Sequence, residues 1–260
     1  MSNKKTTTMT KLFVKKITNN PKSSTVFLWL HGWGLTHKWM QGLASEFADQ
    51  GINYLPDFPG FGQSEELKKV WSMDEYVEVT YDWISKNIKK NQKLIIIGHS
   101  FGARVMLKLF FKYPNIEKFV FIGGAGIPRK RSLVYKIKVC LLKCGARVGD
   151  IVDKTFKVNL KDKIGRYFRS SDYRDLKGFK KQSFLKIISE DFSKHAVKIT
   201  IPTLLIYGRN DNQTPVEVGQ KFNKLIPKSK LCILENFGHN DVLIKGQHQV
   251  VNLIQKFIKE

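Results

Sequence analysis

The sequence has few cysteines, few acidic side chains and no long apolar run. Its 260 residues include three cysteines: Cys140, Cys144 and Cys232. An odd number of cysteines, with no export signal at the polar N-terminus, predicts reduced thiols in a cytoplasmic protein. Cys140 and Cys144 have no further Cys or His nearby, so no metal site is predicted. No run reaches the roughly 18–20 apolar residues that a membrane span needs.

Acidic residues are outnumbered by basic residues about two to one. Lys and Arg total 45, Asp and Glu total 22, and the formal net charge is +23. Such a charge attracts nucleic acid, anionic lipid or acidic proteins. The chain has no nucleic-acid motif, and its aromatic residues are not interleaved with lysines, so no specific nucleic-acid partner is predicted. A lysine-rich composition of the whole chain is the alternative explanation of the charge.

Short apolar runs alternate with longer amphipathic stretches. This alternation predicts an α/β fold in which a mostly parallel central sheet is flanked by helices. Ser72 with Glu75, and Thr214 with Glu217, have the spacing of capping boxes at helix starts. A last helix is predicted over residues 246–258. The predicted strands are residues 12–17, 25–30, 52–55, 94–97, 118–122, 203–207 and 231–234.

One segment interrupts the alternation. Residues 126–195 contain helical patterns and no convincing strand, which predicts a helical cap inserted into a core formed by residues 1–125 and 196–260. Residues 126–196 hold 19 Lys and Arg against 7 Asp and Glu. The basic clusters at 129–131 and 161–169 are therefore expected to favour an acidic carrier protein or an anionic surface.

Gly98-His99-Ser100-Phe101-Gly102 follows an apolar strand and precedes a helical stretch. In that setting the G-x-S-x-G pattern predicts a nucleophile elbow with Ser100 at its apex. A serine hydroxyl needs a base, and the base needs an acid to hold its tautomer. Asp211 and His239 each follow an apolar strand, at the sheet edge where α/β proteins build their sites. We therefore predict a triad of Ser100, Asp211 and His239, with Asp57, Glu235 and Asp241 as alternative acids.

An oxyanion hole is the fourth part that acyl transfer needs. Residues 28–34 are predicted to be the end of a strand followed by the glycine-rich turn His31-Gly32-Trp33-Gly34. Such a turn can direct backbone N–H groups at an oxygen that becomes negative during the reaction. The expected donors are the N–H groups of Trp33 and Phe101, and both residues are also predicted to bind substrate.

The remaining histidines and Asp57 are given structural roles. We expect His31 to bond within its loop, His99 to pack beside the elbow, and Asp57 to close its own loop. His37, His195 and His248 are expected to be solvated.

Together these motifs resemble the α/β-hydrolase superfamily, in particular cap-bearing serine esterases. They span nearly the whole chain. Residues 30–35 and 57–62 are also similar to the pimeloyl-[acyl-carrier protein] methyl ester esterases, although Asn240-Asp241 is more polar than expected there. The motifs that carry the resemblance are His31-Gly32-Trp33-Gly34, Asp57-Phe58-Pro59-Gly60-Phe61-Gly62-Gln63-Ser64, Gly98-His99-Ser100-Phe101-Gly102, Gly208-Arg209-Asn210-Asp211 and Gly238-His239.

These observations predict an enzyme that cleaves a small-molecule carboxylic ester or thioester through an acyl-enzyme on Ser100, without a cofactor. Ser100 disfavours dehalogenase and epoxide hydrolase chemistry, in which related proteins use aspartate at that position. Three alternatives stay open. A carbon–carbon bond hydrolase or lyase and an aminopeptidase would use the same triad, and a ligand receptor would use the same fold with little or no catalysis.

Overall fold

A computed structural model of the chain describes residues 10–128 and 178–260. Within them the central sheet has seven strands in the order β1-β3-β2-β4-β5-β6-β7. β1 pairs with β3 in an antiparallel manner, and all other pairs are parallel. The predicted mostly parallel α/β sheet is thus confirmed. The strands are β1 Val14–Ile17, β2 Thr25–Leu30, β3 Ile52–Pro56, β4 Lys93–His99, β5 Ile116–Ile122, β6 Thr203–Gly208 and β7 Ser229–Leu234.

Helices pack on both faces of the sheet. The described helices are α1 His37–Ser45, α2 Met73–Asn87, α3 Phe101–Leu109, α4 Gly178–Ile188, α5 Ser193–Ala196, α6 Val216–Leu225, α7 Asp241–Ile244 and α8 Gln247–Lys259. α8 confirms the last predicted helix, displaced by one residue.

Alternation along the central strands divides the apolar core in two. Val26 and Leu28 of β2 point into one cluster, with side chains of α2 and α3. Phe27 and Trp29 point into the other, with side chains of α1 and α8. Because neighbouring side chains of a strand lie on opposite faces, an unbroken apolar run serves both clusters.

One predicted capping box is confirmed and the other is wrong. The Ser72 N–H donates to Glu75 Oε2 at 2.6 Å, at the start of α2. The second box, Thr214 with Glu217, does not form, because α6 has Pro215 at its N-cap. The Thr214 hydroxyl instead contacts the Gly123 carbonyl oxygen at 2.8 Å.

Of the predicted cap, residues 126–128 and 178–195 lie in the described part of the chain. There α4 confirms the predicted helical pattern. Hydrogen bonds join α4 and the residues after it to the core. The Trp71 N–H donates to Ser183 Oγ at 2.8 Å, and Arg104 donates to the carbonyl oxygens of Ile187 and Glu190, both at 3.1 Å. The cap boundaries stay a prediction. The clusters at 129–131 and 161–169, with Cys140 and Cys144, lie outside the described residues.

Across residues 10–128 and 178–260, no helix has both the length and the apolar character needed to cross a membrane.

Candidate active site

Ser100 lies at a strained turn between β4 and α3. Its φ of 49° and ψ of −105° are rare for a residue with a side chain. The glycines on either side permit the turn. A Cβ atom on Gly98 would lie 2.8 Å from the Ala103 nitrogen, and one on Gly102 would collide with the Leu30 carbonyl. The backbone thus adopts the predicted elbow, with Ser100 at the end of a central strand.

Two neighbouring loops bring Asp211 and His239 together. The Arg209 N–H donates to the Leu234 carbonyl at 2.9 Å, and the Asn210 N–H donates to the Phe237 carbonyl at 3.0 Å. A Cβ atom on Gly208 would overlap the Phe237 backbone. Glycine at position 208 therefore lets the loop after β7 approach the loop after β6.

The two side chains meet in a buried contact. His239 Nδ1 lies 2.6 Å from Asp211 Oδ2, with Asp211 only 2% exposed and His239 9% exposed. Asp211 Oδ1 accepts the N–H groups of Gln213 and Thr214, both at 2.8 Å. A carboxylate held this way accepts the Nδ1–H of the ring and leaves Nε2 with a free lone pair.

Thr214, which was predicted to cap a helix, is a neighbour of the Asp211–His239 pair. Its Oγ1 lies 2.9 Å from Asp211 Oδ2 and 3.1 Å from His239 Nδ1. The capping-box spacing of Thr214 with Glu217 indicated a helix start, and that signal hid the contact. Proximity to Asp211 in sequence is the signal that could have revealed it.

His99 and Gly123 connect Ser100 to the pair. The His99 ring lies 4.7 Å from the His239 ring, centroid to centroid, and His99 Nε2 donates to the His239 carbonyl at 3.2 Å. Burial lowers the pKa of His99 well below its usual range, so this ring is neutral. Gly123 has a φ of 53°, and a Cβ atom there would lie 3.2 Å from His239 Nδ1. The Ser100 N–H donates to the Ile122 carbonyl beside it at 3.1 Å.

Ser100 and His239 therefore lie at the same edge of the sheet. Within the two described ranges, no hydrogen bond joins Ser100 Oγ to His239 Nε2. Such contacts are often loose in a site without substrate.

The alternative acids are engaged elsewhere. Glu235 pairs with Arg209 at 2.9 Å, and Asp241 pairs with Lys245 at 2.9 Å. Asp57 lies 2.9 Å from His37 Nδ1. Asp211 is the carboxylate that contacts His239.

The expectation that His37 is solvated is wrong. His37 is 5% exposed, and both its N–H and its Nδ1 contact Asp57. Asp57 also accepts the Gln63 N–H at 2.9 Å, as the predicted loop closure requires. His195 is half-buried rather than solvated, and His248 is exposed. Sequence spacing cannot reveal the His37–Asp57 contact, because folding brings its partners together across 20 positions.

Trp33 and Phe101 carry the expected oxyanion donors. Among the described residues, neither backbone N–H donates to a protein acceptor. Their rings pack edge to face at 5.1 Å, and Phe184 of α4 lies 5.4 Å from the Trp33 ring. The indole Nε1 of Trp33 is buried and has no hydrogen-bond partner in the described part of the chain. The Trp33 ring thus packs against Phe101 at the start of α3 and against Phe184 of α4.

No set of three or more His, Cys, Asp and Glu side chains among residues 10–128 and 178–260 is arranged to hold a metal ion. Cys232 is a free thiol on β7.

Similarity to known proteins extends over nearly the whole chain. A family model described as serine aminopeptidase, S33, matches residues 21–242. The AB hydrolase superfamily protein YisY of Bacillus subtilis (strain 168) is 22% identical over 88% of this chain and 90% of its own length. The proline iminopeptidase of Saccharolobus solfataricus is 25% identical over 89% of this chain and 84% of its own.

A solved structure shares the fold. The esterase EaEST from Exiguobacterium antarcticum superposes with a TM-score of 0.70, at 19% identity, over 96% of each chain. At that identity the likeness concerns the fold.

Proposed function

We propose that this chain, which belongs to the α/β-hydrolase superfamily and to the family described as serine aminopeptidase, S33, hydrolyses a carboxylic ester or thioester. The observation that carries the proposal is the 2.6 Å contact of Asp211 with His239 at the edge where Ser100 sits on its strained turn. A strained serine beside a buried Asp–His pair is the arrangement that nucleophilic acyl transfer needs.

In the proposed mechanism Ser100 Oγ attacks the acyl carbon while His239 Nε2 takes the hydroxyl proton. The oxygen of the tetrahedral intermediate accepts the N–H groups of Trp33 and Phe101. The bond to the leaving group then breaks, and His239 gives its proton to the departing alcohol or thiol. His239 next takes a proton from water, whose oxygen attacks the acyl-enzyme. The acid is released and Ser100 regains its proton.

An aminopeptidase is the second candidate. The description of the matching family and the Saccharolobus relative favour it. It would use the same triad, with an amine as the leaving group. The two reactions differ in substrate, so one panel separates them.

The test combines labelling with turnover. A fluorophosphonate should label the wild-type protein and leave Ser100→Ala unlabelled. The wild type should hydrolyse short p-nitrophenyl esters or an acyl thioester. Ser100→Ala and His239→Ala should each lose most of that activity, with little further loss when combined. Ser45→Ala and His248→Ala change exposed residues of the same types and serve as matched controls.

Several outcomes contradict the proposal. Full ester turnover by Ser100→Ala would show that Ser100 is not the nucleophile. Cleavage of prolyl p-nitroanilide without ester hydrolysis favours the peptidase. Labelling without turnover of any ester, thioester or amide favours a receptor. A carrier-bound methyl ester belongs in the panel because of the resemblance in residues 30–35 and 57–62. Attraction of acidic carriers by the basic segment stays a prediction.

A further inference from the structure

His31 is buried at the end of β2, next to the turn that carries the Trp33 N–H. Its two ring nitrogens have different partners. His31 Nε2 lies 2.9 Å from the Phe58 backbone nitrogen, and His31 Nδ1 lies 2.7 Å from the Gly32 carbonyl oxygen.

These partners fix the tautomer of the ring. A backbone N–H can only donate, so Nε2 must be the bare acceptor. A carbonyl oxygen can only accept, so Nδ1 carries the hydrogen. Burial lowers the pKa of His31 to about 4, which keeps the ring neutral at neutral pH. His31 therefore donates to Gly32 and accepts from Phe58.

The Gly32 carbonyl belongs to the same peptide unit as the Trp33 N–H. In the described chain every peptide bond is trans, so this C=O and N–H point in opposite directions. The carbonyl accepts from His31 Nδ1 and also from the Leu35 N–H at 3.1 Å. Two donors on one side of the peptide hold the Trp33 N–H on the other side.

We propose that His31 is a positioning residue for the reaction: by donating Nδ1–H to the Gly32 carbonyl it aims the N–H of Trp33 at the oxyanion. This inference rests on the hydrolysis proposed above. Donation to the carbonyl also polarises the amide and strengthens the N–H as a donor. The effect appears only when negative charge develops on the substrate oxygen, so it acts on kcat rather than on substrate binding.

A purely structural role would act through the other nitrogen. Phe58 follows Asp57, which is fully buried and holds the N–H groups of His37 and Gln63. His31 Nε2 thus ties the β2 turn to the loop after β3. If His31 only joins these two loops, the enzyme needs the acceptor Nε2 and does not need the donor Nδ1–H.

Two substitutions separate the two halves of the ring. In His31→Asn the amide N–H lies as far along the side chain as Nδ1, so it keeps the donor to Gly32 and loses the acceptor. In His31→Gln the amide oxygen reaches as far as Nε2, so it keeps the acceptor for Phe58 and loses the donor. His248→Asn is the control for a histidine outside the site.

We expect His31→Gln to lower kcat for a short ester by about tenfold to a hundredfold, below the ~10²–10³ seen when an oxyanion donor is removed outright. KM should change little. His31→Asn should keep most of kcat. A reversible trifluoromethyl ketone, which forms a tetrahedral oxyanion on the serine, should lose affinity in parallel with kcat/KM. Equal losses in both variants, or a larger loss in His31→Asn, overturn the inference.

A measurement on the wild type keeps the inference testable if the variants do not fold. Long-range ¹⁵N–¹H spectra should show His31 protonated at Nδ1 and bare at Nε2, and the Trp33 amide proton should move downfield when the ketone binds. The opposite tautomer, or an unmoved Trp33 amide, overturns the proposal. Wild-type protein that neither hydrolyses esters nor reacts with a fluorophosphonate refutes the proposed function instead.

Discussion

Acidification should destabilise the folded protein through two buried histidines, His31 and His99. Burial lowers the pKa of His31 from 6.5 to about 4 and lowers the pKa of His99 well below its usual range. The folded state keeps both rings neutral, while the unfolded chain binds protons as the pH falls below about 6.5. Stability present above pH ~6.5 is therefore lost on the way down to pH ~4.

The size of the loss follows from the shift. At about 1.4 kcal/mol per pKa unit, the lowered pKa of His31 corresponds to a loss on the order of 3 kcal/mol by pH ~4. Around pH 5 the unfolded state binds about one more proton than the folded state at His31 alone. The free energy of unfolding should then fall by about 1 kcal/mol per pH unit from this residue, and His99 adds to the fall.

Urea unfolding at several values between about pH 5 and 6.5 measures the slope. This window lies above the usual range of Asp and Glu, so the histidines dominate it. His31→Asn should reduce the slope by about one proton per molecule, whatever its own stability at neutral pH. The exposed His248→Asn is the control and should leave the slope unchanged. Equal slopes for the wild type and His31→Asn would refute the reasoning.

Two further predictions concern residues at the site. Ser100→Gly should unfold with a free energy about 1 kcal/mol above that of Ser100→Ala, because glycine relieves the strain of a φ of 49°; equal unfolding free energies would show that the turn is unstrained. Thr214→Val should lower kcat about tenfold, since it removes the hydroxyl that contacts both the Asp211 carboxylate and the Gly123 carbonyl. Thr214→Ser restores the hydroxyl and should retain most of the activity, so a valine variant as active as the serine variant would contradict this role.

The sheet was predictable because its signal is local. Each predicted strand is an apolar run, and the structure extends five of them by one or two residues at one or both ends. The first predicted strand, 12–17, is shortened by two residues at its start. The last residues added to β4 and β6, His99 and Gly208, belong to motifs that carry Ser100 and Asp211 and that were predicted to follow the strands. Strand pairing continues through them because the neighbouring strands also continue, which a single run cannot reveal.

The errors concern side chains whose partners lie elsewhere in the fold. Thr214 has the local sequence of a helix cap, yet its hydroxyl contacts the Gly123 carbonyl and lies 3.1 Å from His239 Nδ1, both distant in the sequence. His37 opens α1 with polar neighbours, and its burial depends on Asp57 at the end of another strand. Order along the chain predicted Asp211 and His239 because the topology of a parallel sheet brings successive strand ends to one edge.

Residues 10–128 and 178–260 contain two buried Asp–His pairs, and their surroundings explain why we assign chemistry to only one. Asp57 accepts the backbone N–H of His37 and the Gln63 N–H and also contacts His37 Nδ1, and a Cβ atom on Gly62 would collide with its carboxylate. The Asp57–His37 pair therefore joins the loop after β3 to the start of α1. The Asp211–His239 pair is instead bordered by Gly123, where a Cβ atom would lie 3.2 Å from His239 Nδ1, and the preceding residue, Ile122, accepts the Ser100 N–H. A buried Asp–His contact alone indicates structure, and only a nucleophile at the same edge makes it a candidate for catalysis.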